Sequence, residues 1–153
     1  MIYLFLYKEG LPLELKVKHL ELVQNVISRM ASNSFMLKGW AVTLVAGIFA
    51  LAEKDADKLY FLVSYIPVVV FWWLDAYYLF QERLYRLLYD KVCQTSDDCI
   101  DFSLKATVEE FGSDRNSFYN CLLSKTEIGF YLPLAFVCTI VVILASCNRL
   151  CGV

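Results

Sequence analysis

Asp75 is the residue in this 153-residue chain whose type and surroundings most suggest chemistry, because it interrupts the apolar stretch FWWLDAYYLF. An ionisable side chain inside such a run is costly in a lipid or protein interior, so it needs a partner or a water-filled path. The basic candidate at matching depth is Lys38, at the head of a second apolar stretch. Counting outward from the acidic turn near Asp55 puts Lys38 and Asp75 at similar depth on the two arms of a hairpin. Several roles fit this placement. The two form a structural ion pair or a pair of interfacial side chains reaching for water, they form an ion or proton site, or they make a contact between subunits.

The remaining reactive residues offer less. His19 is the single histidine, and with no Cys or His at ligand spacing around it, it reads as a solvated surface residue. There is no phosphate-cradling glycine loop, nucleophile elbow or paired histidine motif. The expectation is therefore no catalytic residue, no metal, no cofactor and no enzyme. Cys93, Cys99, Cys121 and Cys138 read as inert thiols, while Cys147 and Cys151 are spaced for a disulfide in an oxidising compartment.

The elements that position these residues are long apolar helices. With 59% hydrophobic and 20% charged residues, the chain is more apolar than an ordinary soluble domain of its length. From Phe35 onward one charge, Lys38, precedes the uncharged run Gly39 to Ala52, enough for about 27 Å of helix against a bilayer core of about 30 Å. A second run, Leu59 to Gln81, contains only Asp75, and a third, Ile128 to Asn148, has no charge at all. The fold expected is all-α, with three spans at about 35–53, 59–81 and 128–148.

Around the spans, residues 1–34 form an amphipathic N-terminal segment. Met1 to Tyr7 is read as a short strand or surface anchor, and Leu11-Pro12 as the opening of a helix. Its apolar face is Leu13, Val17, Leu20, Val23, Ile27 and Met30. This helix lies on the inner leaflet or runs straight into the first span through residues 31–34. The second span continues as a projecting helix to about Val92, Pro67 is a candidate kink, and Glu53 to Lys58 closes the hairpin. Residues 93–127 form an insert too small for its own core, so it must pack on the helices or on a neighbour. Residues 149–153 are an external tail. Eleven Lys and Arg lie in residues 1–38 and 82–127 against three elsewhere, which predicts a cytoplasmic N-terminus and an outer C-terminus. The net charge of −2 and the scattered basic residues argue against nucleic acid as a partner.

Two further patterns concern packing. Gly39, Thr43 and Gly47 make a small-residue stripe on the first span, suited to close helix approach. That approach is to the chain's own second span or to another protomer. Trp40, Trp72, Trp73, Tyr77 and Tyr78 read as an interfacial aromatic belt, or as the lining of a lipid or small-molecule groove.

The blocks RMASNSF-LKGW and LD-YYL-QERL-R-LYD, within roughly His19 to Leu134, resemble a group of short bacterial inner-membrane proteins. Their plan is similar to that of SLATT-like membrane effectors of anti-phage systems. The resemblance implies an oligomeric inner-membrane protein in a lipid bilayer that perturbs the membrane or forms a pore when a cytoplasmic sensor protein fires. Two rival functions stand beside it: a non-catalytic scaffold or regulatory subunit of a membrane complex, and a small proton-coupled transporter.

Overall fold

The computed structural model describes residues 2–51, 62–112 and 117–150, and among them every regular element is helical. Helix α1 spans Ile2–Leu51 and α2 spans Tyr65–Gln94. A single 3-10 turn, Asp97–Cys99, then leads to the short helices α3 (Val108–Phe111) and α4 (Phe118–Leu122), and α5 (Lys125–Leu150) follows. The Glu53 to Lys58 turn lies outside the described residues, as does Cys151 of the Cys147/Cys151 pair.

At 50 residues, α1 is about 75 Å long. It passes through residues 31–34 unbroken, so lead-in and first apolar run are one rod. Two local expectations are corrected. Residues 2–7 are helical rather than a strand, and Pro12 does not open the helix but sits inside it, where it removes one backbone donor. Pro67 does not kink α2 either. It is the third residue of that helix, where a backbone N–H has no intrahelical acceptor to lose.

The three long helices pack up, down, up. Ala41 and Val45 of α1, Val68 of α2, and Tyr131 and Cys138 of α5 form one buried cluster. Tyr65 and Thr139 hydroxyls meet at 2.7 Å farther along α2 and α5. A second cluster joins Val23 and Ile27 to Leu88 and Val92, so α1 and α2 run antiparallel over many turns. The insert closes over this end: Ile100, Ala106 and Phe111 pack against the second cluster. Lys16 Nζ donates to the Thr95 carbonyl at 2.8 Å and to Asp97 Oδ1 at 2.9 Å, fixing the end of α2 against α1.

The predicted apolar face of the lead-in is covered only in part. Val23 and Ile27 are buried, but Leu13 and Val17 are exposed, Leu13 lying beyond the level at which Lys16 meets the end of α2. His19 corrects the sequence reading outright. It is buried, with the Phe102 ring edge-on at 5.6 Å and no partner for Nε2.

Two of the helices are long and apolar enough to cross a membrane, over Leu13–Leu51 and Lys125–Cys147. Helix α2 is less apolar than either because Asp75, the charged residues of its second half from Glu82 to Lys91, two Trp and five Tyr fall within it. Large apolar side chains cover the outside of all three: Trp40, Val42 and Leu44 on α1, Ile66 and Val69 on α2, Phe136 and Leu144 on α5.

Candidate functional site: a buried charge cluster between three helices

Where the polar and apolar parts of the bundle meet, five side chains converge. Ser34 and Lys38 lie one turn apart on α1, Asp75 comes from α2, and Glu127 and Tyr131 lie one turn apart on α5. The i, i+4 spacing stacks each pair on one helix face. The apolar runs of all three helices leave this level in the same direction, because α2 is antiparallel to α1 and α5.

Lys38 is the hub. An ammonium has three donors, and here they are directed at Asp75 Oδ2, at Glu127 Oε1 (3.1 Å) and at Ser34 Oγ (3.3 Å). Asp75 is fully buried and well served: the Ser34 hydroxyl donates to Oδ1, while Lys38 and the Tyr131 hydroxyl (3.1 Å) donate to Oδ2. Glu127 is 1% exposed and less well served. Its Oε1 accepts from Lys38, but its Oε2 is buried without a hydrogen-bond partner.

Aromatic rings wall the cluster. Trp72 stacks on Tyr131 with centroids 5.9 Å apart, and Phe130 meets Tyr131 edge-on at 5.0 Å. The ammonium stands 5.9 Å from the Phe130 centroid and 6.0 Å from that of Tyr131, within cation–π range. Trp72 Nε1 also donates to the Leu122 carbonyl at 3.0 Å, fastening α4 to α2. Such walls thin the water around the charges and so strengthen their interactions.

Lys38 and Asp75, singled out in the sequence, thus touch. Ser34, Glu127 and Tyr131 were missed. One signal pointed to Glu127: Ser124-Lys125-Thr126-Glu127 is a capping-box pattern. The Glu127 N–H is 3.3 Å from Ser124 Oγ, but its carboxyl turns into the cluster rather than back to the cap.

The other candidates scatter. Gly39, Thr43 and Gly47 are exposed, and a Cβ added at either glycine meets nothing within 4 Å. Packing of this stripe against the chain's own α2 is therefore corrected: Ala41 and Val45 face the interior instead. Among the aromatics, Trp40 and Tyr77 are exposed and Tyr78 half-buried, while Trp73 leans on Phe118. They do not converge on one groove. Outside the apolar runs, burial pushes the Cys121 thiol above its ordinary value, with Arg83 opposing and Glu127 adding. Among the described residues no three His, Cys, Asp or Glu side chains gather as metal ligands would.

Fold and site together define an all-α protein with at least two helices fit to cross a membrane, joined by a buried lysine–carboxylate cluster. Comparisons with protein families, curated proteins and solved structures return no match.

Proposed function

We propose that the chain is a bacterial inner-membrane protein of three spans, with its N-terminus and insert in the cytoplasm, that self-associates and perturbs the membrane as a non-catalytic effector of anti-phage defence. The observation that carries the membrane part is the apolar outer surface shared by α1, α2 and α5 on one side of the charge cluster. A protein in water rarely leaves so large an apolar surface uncovered. Eleven of the fourteen Lys and Arg fall on the proposed cytoplasmic side, which supports the orientation. The stripe at Gly39, Thr43 and Gly47, left bare by its own chain, supports self-association through α1. The defence role rests on the resemblance in sequence blocks, and a cytoplasmic sensor is its natural trigger.

The test has three readouts on the full chain. Impermeant thiol reagents applied to intact cells are expected to spare Cys93 and Cys99. Purified protein in nanodiscs is expected to be oligomeric, and overexpression is expected to depolarise the host membrane. A stable oligomer that leaves membranes sealed at every expression level would favour the scaffold, and labelling of Cys93 from outside would overturn the orientation.

A further inference from the structure

The cluster around Lys38 has a charge imbalance that its geometry does not resolve. With Asp75 and Glu127 both ionised, one lysine faces two carboxylates and the site carries a net negative charge. The Glu127 and Asp75 carboxyls both contact the one Lys38 ammonium, which sets them side by side. Two ionised carboxylates so placed repel, and they do so where water is scarce. The donors are already committed. Lys38 spends all three, and the Ser34 and Tyr131 hydroxyls both go to Asp75. Glu127 Oε2 is left buried with no donor.

We infer that the cluster binds one proton, shared between the Glu127 and Asp75 carboxyls, and that this proton helps hold α5 against α1 and α2. The proton brings the three charged side chains to neutrality and turns the contact between the carboxyls from repulsion into an O–H···O hydrogen bond. The groups facing the site are accounted for on every element: Ser34 and Lys38 on α1, Asp75 on α2, Cys121 on α4, Glu127 and Tyr131 on α5. The charged groups acting on Glu127 are Asp75 and Lys38. Arg83 acts on the neighbouring Cys121. A metal cation is a poor alternative occupant, because the ammonium already fills the space between the carboxyls. The inference stands apart from any effect on membrane integrity, since it concerns how three helices of one chain stay together.

Infrared spectroscopy of the full chain in nanodiscs tests it, because a protonated carboxyl has a C=O stretch that a carboxylate lacks. At neutral pH, well above the value of about 4.3 at which a solvated glutamate ionises, the wild type is expected to show this band. Glu127→Gln and Asp75→Asn should each abolish it, since the carboxylate that remains then pairs with Lys38 alone. Raising the pH until the band disappears should lower the unfolding midpoint of the wild type and leave that of Glu127→Gln unmoved. Where a variant fails to fold, wild-type protein carrying 13C in its Glu or its Asp carboxyls answers the same question. The absence of the band at neutral pH, its survival in Glu127→Gln, or a band that moves with neither label would overturn the inference.

Discussion

Lys38→Met removes the hub of the cluster while nearly preserving side-chain volume, and its cost can be worked from the contacts. Two charge-assisted hydrogen bonds to carboxylates are lost, each worth about 1.5–3 kcal/mol. The carboxyls they leave behind are 0% and 2% exposed in their side chains, and leaving buried partners unpaired costs about 3–5 kcal/mol. Lys38 is itself 18% exposed, so water recovers part of this, and a loss of ~3 kcal/mol is expected, about two powers of ten in the folding equilibrium. Asp75→Asn is milder. The single amide oxygen keeps only one of the two hydroxyl donors, Ser34 or Tyr131, which bond different oxygens of the carboxylate, but Lys38 keeps Glu127, so about 2 kcal/mol is expected, less than for loss of the lysine. The double variant should cost less than the sum by about 1–2 kcal/mol, because the interaction can be lost only once. Equilibrium unfolding in mixed micelles of increasing denaturing detergent measures all three. An Asp75→Asn variant at least as damaging as Lys38→Met, or strictly additive losses, would refute the assignment of Lys38 as the hub.

Gly47→Leu should fold as well as wild type, since the space beside Gly47 is open within the chain, yet lower the oligomeric state on native mass spectrometry; an unchanged oligomer would remove the stripe from the interface. Trp72→Phe keeps the stack on Tyr131 but leaves the Leu122 carbonyl without its donor, for a loss of ~1 kcal/mol and faster hydrogen exchange confined to α4. Cys121, buried and with its thiol held in the protonated form, should alkylate far more slowly than exposed Cys93 and Cys99 in solubilised protein at neutral pH. Equal rates at the three would show that α4 is not seated with Cys121 inward.

Much of the helical plan is legible because apolar runs of this length have few alternatives to a helix, and the Lys38–Asp75 contact follows from similar distances to a shared turn. What escaped has a common physical origin in contacts distant in sequence. His19 looks solvated from its neighbours on α1, yet Phe102, from an extended stretch far along the chain, folds back over it. Glu127 was set outside the third span because the uncharged run begins one residue later, although the cap at Ser124 starts the helix earlier and carries the carboxyl inward. The burial of Tyr131 is equally invisible to periodicity, since a tyrosine among Phe and Leu resembles any other interfacial aromatic until Asp75 supplies its acceptor.

The continuity of α1 has a mechanical corollary. The helix is gripped at the charge cluster, and neither arm contains a joint. From Ser34 back to His19 is about 22 Å, and from Ser34 forward to Leu51 is about 25 Å, so the grip falls near the middle of this length. Val23 and Ile27 on one side of it and Ala41 and Val45 on the other are packed into the bundle, so the rod is held along its length rather than pivoted at one point, and the stripe from Gly39 to Gly47 is presented on a stiff support.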